Sequence, residues 1–210
     1  LRTPLTAIKG WSETINEIDD PGMRKKGLRI ITKETERLSS MVEELLDFSR
    51  MQNGKFSMQM SDMDIIAELA DAVLMYGEKA KDDNIAVIFD EDEDVAIVNG
   101  DKNRLRQVFI NIIDNAIKYS SSGGTVTITT EKNSERIVIF IADTGCGMDE
   151  DTLERIFDRF YQADTSRSTE GNGLGLPLVR RIAQLCNAKL TVKSKKGDGT
   201  VFTVSLPINS

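Results

Sequence analysis

Apolar residues at helical spacing dominate the start of the chain and predict two helices, over 1–18 and 23–51. The sequence DDPG at 19–22 predicts the turn between them. The apolar positions of the first helix are Leu1, Leu5, Ile8 and Ile15. Because no Ser, Asp or Asn stands ahead of Leu1 as a cap, we expect this helix to begin upstream of that residue.

The second helix carries an apolar stripe typical of helical hairpins and coiled coils. Its positions are Leu28, Ile31, Leu38, Val42 and Leu45, with Thr35 interrupting the series. The charged residues predicted on its wetter faces are Lys33, Glu34, Glu36, Arg37, Glu43 and Glu44. Two helices alone cannot bury both sides of their stripes, so the pattern favours a four-helix bundle formed by two chains. The alternative is an intramolecular hairpin that packs on the rest of the chain.

Beyond residue 52 the pattern changes, which predicts a domain boundary near residue 53. Helices are predicted over 65–81, 102–119 and 176–185, and strands over 56–60, 85–89, 95–98, 124–130, 136–142, 190–193 and 200–206. The late strands follow one another as hairpins instead of alternating with helices. The predicted fold class is therefore α+β, with a helical hairpin over 1–52 and an α/β sandwich with a mixed sheet over 53–210.

Composition excludes several classes of protein. The 210 residues are 40% apolar, enough for a core, and carry a net charge of −7 without a basic patch for nucleic acid. The longest unbroken apolar run, 137–142, is far shorter than the ~20 residues that cross a bilayer. The start also lacks a signal-peptide pattern. We therefore expect this stretch to be neither inserted into a membrane nor secreted.

The absence of histidine removes further mechanisms, including Ser-His-Asp triads and Cys-His pairs. The two cysteines, Cys146 and Cys186, lack the spacing of metal ligands. We interpret them as reduced thiols of a cytosolic protein, with a single disulfide as the alternative. Any chemistry must then use carboxylates, amides, Lys, Arg and the backbone.

The helix predicted over 102–119 carries an unusual polar cluster. Asn111, Asn115 and Lys118 fall within roughly 60° of one another, beside the apolar face. Asn is unfavourable in helix interiors, so two Asn residues one turn apart require an explanation. An amide oxygen is a ligand for Mg²⁺, and a Lys ammonium can meet a phosphate. The alternative is a solvated polar face.

The strand predicted over 136–142 is apolar on both faces and leads into Asp143, Gly145 and Gly147. A carboxylate at the end of a buried strand can accept a hydrogen bond from an adenine amine. Glycines let the backbone approach a ligand closely or adopt positive φ. Because many ordinary strand-to-loop turns look the same, this motif by itself is weak.

The polar stretch 161–172 leads through Gly171, Gly173 and Gly175 into a helix with Pro177 in its first turn. Glycines ahead of a helix N-terminus form an anion site, because free N–H groups and the helix dipole point at the anion. The polar stretch then suits a mobile lid with glycine hinges, and a glycine-rich linker is the alternative. Together the three features suit different parts of Mg-ATP.

Taken in order, these motifs resemble the boxes of sensor histidine kinases. NIIDNAIKY at 111–119 resembles the N box, DTGCG at 143–147 the first glycine box, FDRF at 157–160 the F box, and GNGLGL at 171–176 the second glycine box. LRTPL at 1–5 resembles the remainder of the phosphoacceptor box. The resemblance implies a dimerisation and histidine-phosphotransfer hairpin followed by an ATP-binding sandwich of the Bergerat type.

The resemblance also implies roles for individual residues. Asn115 would bind Mg²⁺, Asn111 would lie beside the phosphates and the metal, Lys118 would contact phosphate, and Tyr119 would contact the nucleoside. Asp143 would accept from the adenine amine, and Gly145 and Gly147 would shape the base pocket. Phe157 and Phe160 would anchor the start of the lid, and Gly171, Gly173 and Gly175 would flank the phosphates at its end. Leu174 and Leu176 of the same box are also candidate nucleotide-binding residues. Thr3 matches a position that orients water for phosphatase action.

The family's activity is Mg-ATP-dependent phosphorylation of a histidine, followed by transfer to an aspartate of a response regulator. The implied parent is a dimeric, membrane-anchored bacterial sensor with this part in the cytoplasm. This chain departs from the family at Gln162 and Thr169, where arginines are common, so phosphate neutralisation in the lid depends mostly on Arg167. The phosphoacceptor histidine is expected just upstream of Leu1.

Two other hypotheses remain open. The first is an ATP-binding dimeric pseudokinase or regulator phosphatase that lacks autokinase activity. The second is a Bergerat ATPase or serine kinase, which the hairpin bearing the RTPL sequence disfavours.

Overall fold

The computed structural model describes residues 2–53, 56–90, 95–163 and 173–208. They form two compact units, Leu1–Phe56 and Ser57–Ser210. The first unit is a helical hairpin of α1 (Arg2–Thr14) and α2 (Pro21–Gln52), with a 3₁₀ turn over Ile15–Glu17 between them. No helix of these described ranges is long and apolar enough to span a membrane.

The connection between the two helices differs from the sequence prediction. The Asp20 carboxylate accepts a hydrogen bond from the Gly22 N–H at 2.7 Å and caps α2. Pro21 occupies the first turn, where a missing N–H costs nothing. The DDPG sequence therefore supplies the cap and first turn of α2, and α1 ends at Thr14, short of the predicted residue 18.

Gly27 lets the two helices of the hairpin approach closely. A Cβ at Gly27 would lie 2.5 Å from the Cε3 atom of Trp11. Glu34 and Arg37, both on α2, form an ion pair at 3.4 Å. Both are partly buried, so their predicted position on a wetter face was wrong.

The second unit contains two sheets. A short antiparallel pair joins β1 (Ser61–Asp64) to β3 (Ile97–Gly100). The main sheet has the order β2-β4-β5-β7-β6, with β2 parallel to β4 and the other neighbours antiparallel. Its strands are β2 (Ala86–Asp90), β4 (Thr125–Lys132), β5 (Arg136–Asp143), β6 (Lys189–Lys195) and β7 (Gly199–Pro207). The helices are α3 (Ile65–Asp82), α4 (Lys102–Tyr119), α5 (Glu150–Arg155) and α6 (Gly175–Leu185).

The core lies between one face of the main sheet and the helices. Along β5, Ile137, Ile139 and Ile141 are fully buried, whereas Val138 and Phe140 on the other face are partly exposed. The fully buried side chains of α4 include Leu105, Phe109, Ile112 and Ile113. One layer of helices therefore covers one layer of sheet, which confirms the predicted α/β sandwich with a mixed sheet.

Two predictions of secondary structure were wrong. The strand predicted at 56–60 lies at Ser61–Asp64, where pairing with β3 and the Asp64 cap of α3 determine its position. Helix α5 was not predicted, although Asp149 caps it by accepting from the Thr152 N–H at 3.0 Å. Both elements are short, so local apolar periodicity carries little information about them.

Candidate functional site

Helix α4 presents three polar groups beside its buried face. The Asn111 amide donates from Nδ2 to the Gln107 carbonyl at 2.9 Å, which satisfies the amide locally. Its Oδ1 lies against the start of α6, since a Cβ at Gly175 would be 2.6 Å from it. Asn115 is half-buried, and its amide has no hydrogen-bond partner among the described residues. The Lys118 ammonium lies 4.9 Å from the centre of the Tyr119 ring.

The start of α6 exposes backbone donors next to Asn111. Leu174 precedes the helix and provides no side-chain cap, and Pro177 has no N–H. The first helical bond runs from the Leu178 N–H to the Leu174 carbonyl at 3.1 Å. The N–H groups of Gly175 and Leu176 make no hydrogen bond within the described ranges. An uncapped helix N-terminus of this kind favours an anion.

Asp143, the last residue of β5, has one oxygen in use and one open. Its Oδ1 accepts from the Gly145 N–H at 2.8 Å and from the Thr200 N–H at 3.2 Å. Its Oδ2 has no hydrogen-bond partner in the part of the chain that the structure describes. Burial raises the pKa of the Asp143 carboxyl, and the two backbone hydrogen bonds offset part of that rise. The open oxygen is an acceptor for an external donor.

The loop after Asp143 is joined to the end of α4. Cys146 donates from its N–H to the Tyr119 carbonyl at 3.1 Å. A Cβ at Gly145 would lie 2.5 Å from the same carbonyl oxygen, so only glycine fits at this approach. Gly147 has φ of +60°, and a Cβ there would overlap the Lys195 carbonyl. The first glycine box therefore packs directly on the end of the N box.

The two ends of the predicted lid meet. Phe160 donates from its N–H to the Gly173 carbonyl at 2.9 Å. Gly173 has φ of +69°, and a Cβ there would lie 2.7 Å from the Phe160 carbonyl carbon. Phe160 also has a positive φ of +59°, which is unusual for a bulky residue. The Phe157 ring lies 5.4 Å from the Arg180 guanidinium carbon.

The structure thus links most of the predicted site residues through α4. Asn111 meets Gly175, Tyr119 meets Gly145, Gly145 meets Asp143, and Phe160 meets Gly173. The Leu174 side chain is buried in the core, and Leu176 is half-buried. Thr3 belongs to the first unit, where it is exposed on α1. Arg167, Thr169 and Gly171 lie outside the described residues.

Thr200 is a residue of the candidate site that the sequence reasoning missed. Its N–H donates to Asp143 although the two residues are 57 positions apart in the chain. The contact arises because β7 pairs with β5, with Thr200 opposite Asp143. No local pattern predicts that β7 pairs with β5; the sequence indicated only a hairpin between the strands at 190–193 and 200–206.

The described residues include no group of three or more His, Cys, Asp or Glu side chains arranged to hold a metal ion. Any cation here would depend on amide and ligand oxygens, and the unpaired Asn115 amide fits that role. Cys146 and Cys186 are both free, which agrees with their interpretation as reduced thiols.

Comparisons with known proteins identify the class of this site. Residues 100–210 match the family "Histidine kinase-, DNA gyrase B-, and HSP90-like ATPase", which makes the second unit an ATP-binding domain. Residues 1–54 match the "His Kinase A (phospho-acceptor) domain". Sensor protein SrrB of Staphylococcus aureus (strain NCTC 8325 / PS 47) is 33% identical over 211 residues, covering 99% of this chain. The chain therefore belongs to the sensor histidine kinase family, and it spans 36% of the length of that relative.

Solved structures share this architecture. Full-length ShkA in complex with AMPPNP matches with a TM-score of 0.76 and 26% identity, over 100% of this chain and 44% of that one. Histidine kinase ThkA in complex with the response regulator TrrA matches with a TM-score of 0.74 and 27% identity, over 99% and 58%. AdeS of Acinetobacter baumannii, at 24% identity and a TM-score of 0.74 over 100% and 97%, shows the same fold.

Proposed function

We propose that this chain is the phosphotransfer and ATP-binding core of a sensor histidine kinase. It binds Mg-ATP, directs the γ-phosphoryl group to a histidine, and passes that group to an aspartate of a response regulator. One observation carries the proposal: α4 joins an open carboxylate oxygen on Asp143, through Tyr119 and Gly145, to an uncapped helix N-terminus beside Asn111.

The spacing along α4 suits a nucleoside triphosphate. Tyr119 and Asn111 are separated by about 12 Å at 1.5 Å per residue. The base would lie at the Tyr119 end, where the open Asp143 oxygen accepts from the adenine amine. The phosphates would lie at the other end, where the N–H groups of Gly175 and Leu176 offer positive charge. The Lys118 ammonium lies 4.9 Å from the centre of the Tyr119 ring, so it would contact the phosphates from the side of the base.

Asn115 is our candidate ligand for magnesium. Its amide is half-buried and makes no hydrogen bond within the described ranges, so its oxygen is available. Mg²⁺ prefers oxygen ligands and would share them between the protein and the phosphates. When bound, the cation would neutralise charge on the phosphates. The residues of the chain then supply mainly position and complementary charge, which is what phosphoryl transfer requires.

The hairpin is the proposed dimerisation and phosphotransfer element. Leu28, Val42 and Leu46 on α2 are roughly half exposed in the single chain, a stripe that a second copy would cover. The match to the phospho-acceptor domain supports this role. The ThkA complex with a response regulator supports a receiver-domain partner for this chain too. Thr3 is a candidate for orienting water in a phosphatase reaction.

The proposed setting is the cytoplasmic side of a membrane-anchored bacterial sensor. Support comes from SrrB, a sensor protein of which this chain spans 36%.

Replacing Asp143 tests the base assignment. In Asp143→Asn the side-chain oxygen still has to accept from Gly145 and Thr200, so the new NH₂ group takes the open position. Two donors then face each other, and we expect Mg-ATP affinity to fall by at least tenfold, which is about 1.4–3 kcal/mol. Calorimetry measures the affinity directly.

Asp90→Asn is the matched control, since Asp90 is exposed on the edge strand β2. Its affinity should stay within about twofold of the original. Equal affinity for ATP in all three proteins would contradict the adenine assignment.

An ATP-binding dimer without autokinase activity is the second candidate, because nucleotide binding and dimerisation would use only residues of these two units, whereas autophosphorylation needs a histidine. A version extended upstream to the parent's residues before Leu1 separates the two candidates. We expect the extended protein to acquire acid-labile phosphate from labelled ATP, and this chain alone to acquire none. An extended protein that binds ATP but stays unlabelled would favour the second candidate.

A further inference from the structure

The loop that carries Asp143 rests on the turn between β6 and β7. This loop, residues 143–149, is called the nucleotide loop below, and the turn spans 195–199. Gly197 donates from its N–H to the Cys146 carbonyl at 2.8 Å. Lys196 and Asp149 form an ion pair at 3.6 Å. Loop and turn are thus joined at several points, although they lie far apart in the chain.

The backbones of the loop and the turn approach each other so closely that they must move together. Gly147 in the loop has φ of +60°, and a Cβ there would overlap the Lys195 carbonyl oxygen. Gly199 has φ of +93°, and a Cβ there would overlap the Asp143 carbonyl oxygen. Each approach leaves room only for hydrogen, so a shift of the turn must shift the loop as well.

One side chain, Ser194, ties the turn to the loop. Its Oγ accepts from the Met148 N–H at 2.9 Å and donates to the Gly199 carbonyl at 2.9 Å. It also lies 2.9 Å from Oγ1 of Thr200. Since a hydroxyl has one proton and Ser194 gives it to Gly199, the Thr200 hydroxyl is the donor in this third bond. Ser194 therefore uses its proton and both lone pairs.

The hydrogen bonds of Ser194 are linked to Asp143, the residue proposed to bind the adenine base. Thr200, which is bound to Ser194, donates from its N–H to Oδ1 of Asp143 at 3.2 Å. That bond and the one from Gly145 decide which carboxylate oxygen remains open. Loss of the Ser194 hydroxyl would leave the Met148 N–H without its acceptor and the Thr200 hydroxyl free to rotate. Neither the Met148 end of the loop nor the Thr200 side chain would then be restrained by Ser194, so Asp143 would be held less firmly between the Gly145 and Thr200 N–H groups.

We propose that Ser194 is a positioning residue for adenine recognition, acting through Thr200 and the nucleotide loop on Asp143 without touching the nucleotide. The inference rests on the proposed ATP-binding function. A purely structural role for Ser194 predicts equal losses for every nucleotide. A positioning role predicts a loss confined to nucleotides that offer an amine to Asp143.

The test compares ATP with inosine triphosphate (ITP), which carries a carbonyl in place of the 6-amine. We expect Ser194→Ala to lower ATP affinity by about 3- to 10-fold and ITP affinity by less than about twofold, because only the amine contact depends on Asp143. Calorimetry of the full chain with Mg²⁺ and each nucleotide gives the ratio of the two affinities. Ser194→Thr keeps the hydroxyl on a strand that accepts branched residues, and it should retain the original ratio.

Thr191→Ala is the matched control. Thr191 lies on the same strand, exposed, with its hydroxyl unpaired within the described residues, so the ratio should not change. Circular dichroism checks folding of each variant. If Ser194→Ala fails to fold, Ser194→Cys provides the same comparison, because its thiol fills the same space and forms weaker hydrogen bonds.

Asp143→Asn separates failure of this inference from failure of the proposed function. If Asp143→Asn abolishes the preference for ATP while Ser194→Ala leaves it intact, the role of Ser194 is overturned and the ATP site stands. Equal losses of ATP and ITP affinity in Ser194→Ala also overturn that role. If the unmodified protein binds ATP and ITP with equal affinity, the assignment of Asp143 to the adenine amine is wrong. The role of Ser194 is then overturned as well.

Discussion

In the second unit the sheet and helices bury a large apolar core, whereas no large apolar side chain described in the hairpin belongs to a buried core. Ile112, Ile139 and Leu178 in the second unit are fully buried. In the hairpin, Leu28 and Leu46 are 55% and 51% exposed. Both regions have regular helices with apolar periodicity, so local pattern does not explain the contrast.

The difference shows what each region needs in order to be stable. A sheet covered by helices completes a core within one chain. Two helices have only one shared contact surface, and the rest of each apolar stripe stays in water at a cost of roughly 25 cal/mol per Å². The core of the second unit is complete in one copy, although Leu74 and Met75 of α3 stay exposed, and the hairpin has apolar surface that a second copy could cover. The same contrast supports the proposed dimer.

Truncating one residue in each region gives the largest expected effects. Ile139→Ala leaves a cavity in a full core and should cost about 2–5 kcal/mol, independently of protein concentration. Leu46→Ala removes a side chain that only a second copy would cover, so its cost should rise with concentration as the dimer forms. Denaturant unfolding at several protein concentrations measures both.

A concentration-independent loss in Leu46→Ala would place this residue in an intramolecular contact. That outcome would favour the alternative in which the hairpin is completed by its own chain.

Two glycines within the hairpin allow a more specific test, with smaller expected changes in stability. In Gly27→Ala the new methyl group would collide with the Trp11 ring, so we expect a loss of about 1–3 kcal/mol. In Gly10→Ala the methyl group meets nothing within 4 Å, so helix propensity should stabilise the protein by up to about 1 kcal/mol. Thermal unfolding monitored by circular dichroism at a fixed concentration measures both.

Effects of the same sign in the two glycine variants would mean that Trp11 does not pack on α2 at Gly27. The close approach of the two helices would then need another explanation.

Much of the fold was predictable because most elements are long and periodic. Helix α4 has the predicted bounds, Lys102–Tyr119, since a strong apolar face and the Asp101 cap agree. Strand β1 was misplaced because four residues hold too little pattern, and its position depends on pairing with β3. The first unit was predicted as a hairpin, but the exact end of α1 depends on how Asp20 and Pro21 start α2.

The residues that the structure brings together in the candidate site were recognisable in the sequence to the same extent. Asn111, Asn115 and Asp143 stood out as polar residues in apolar elements, and the close approaches at Gly145 and Gly175 explain why glycine occupies those positions. Thr200 and Ser194 did not stand out, because a hydroxyl residue in a strand is ordinary. Their importance comes from where β6 and β7 lie in the sheet.

The sequence by itself determined the residue types of the candidate site and the helical and strand periods. These are local properties, set by side-chain chemistry and backbone sterics. The tertiary structure decided which oxygen of Asp143 is open and which hydroxyl holds the loop in place. Those features depend on hydrogen bonds between segments far apart in the chain, and only the order of strands in the folded sheet brings such segments together.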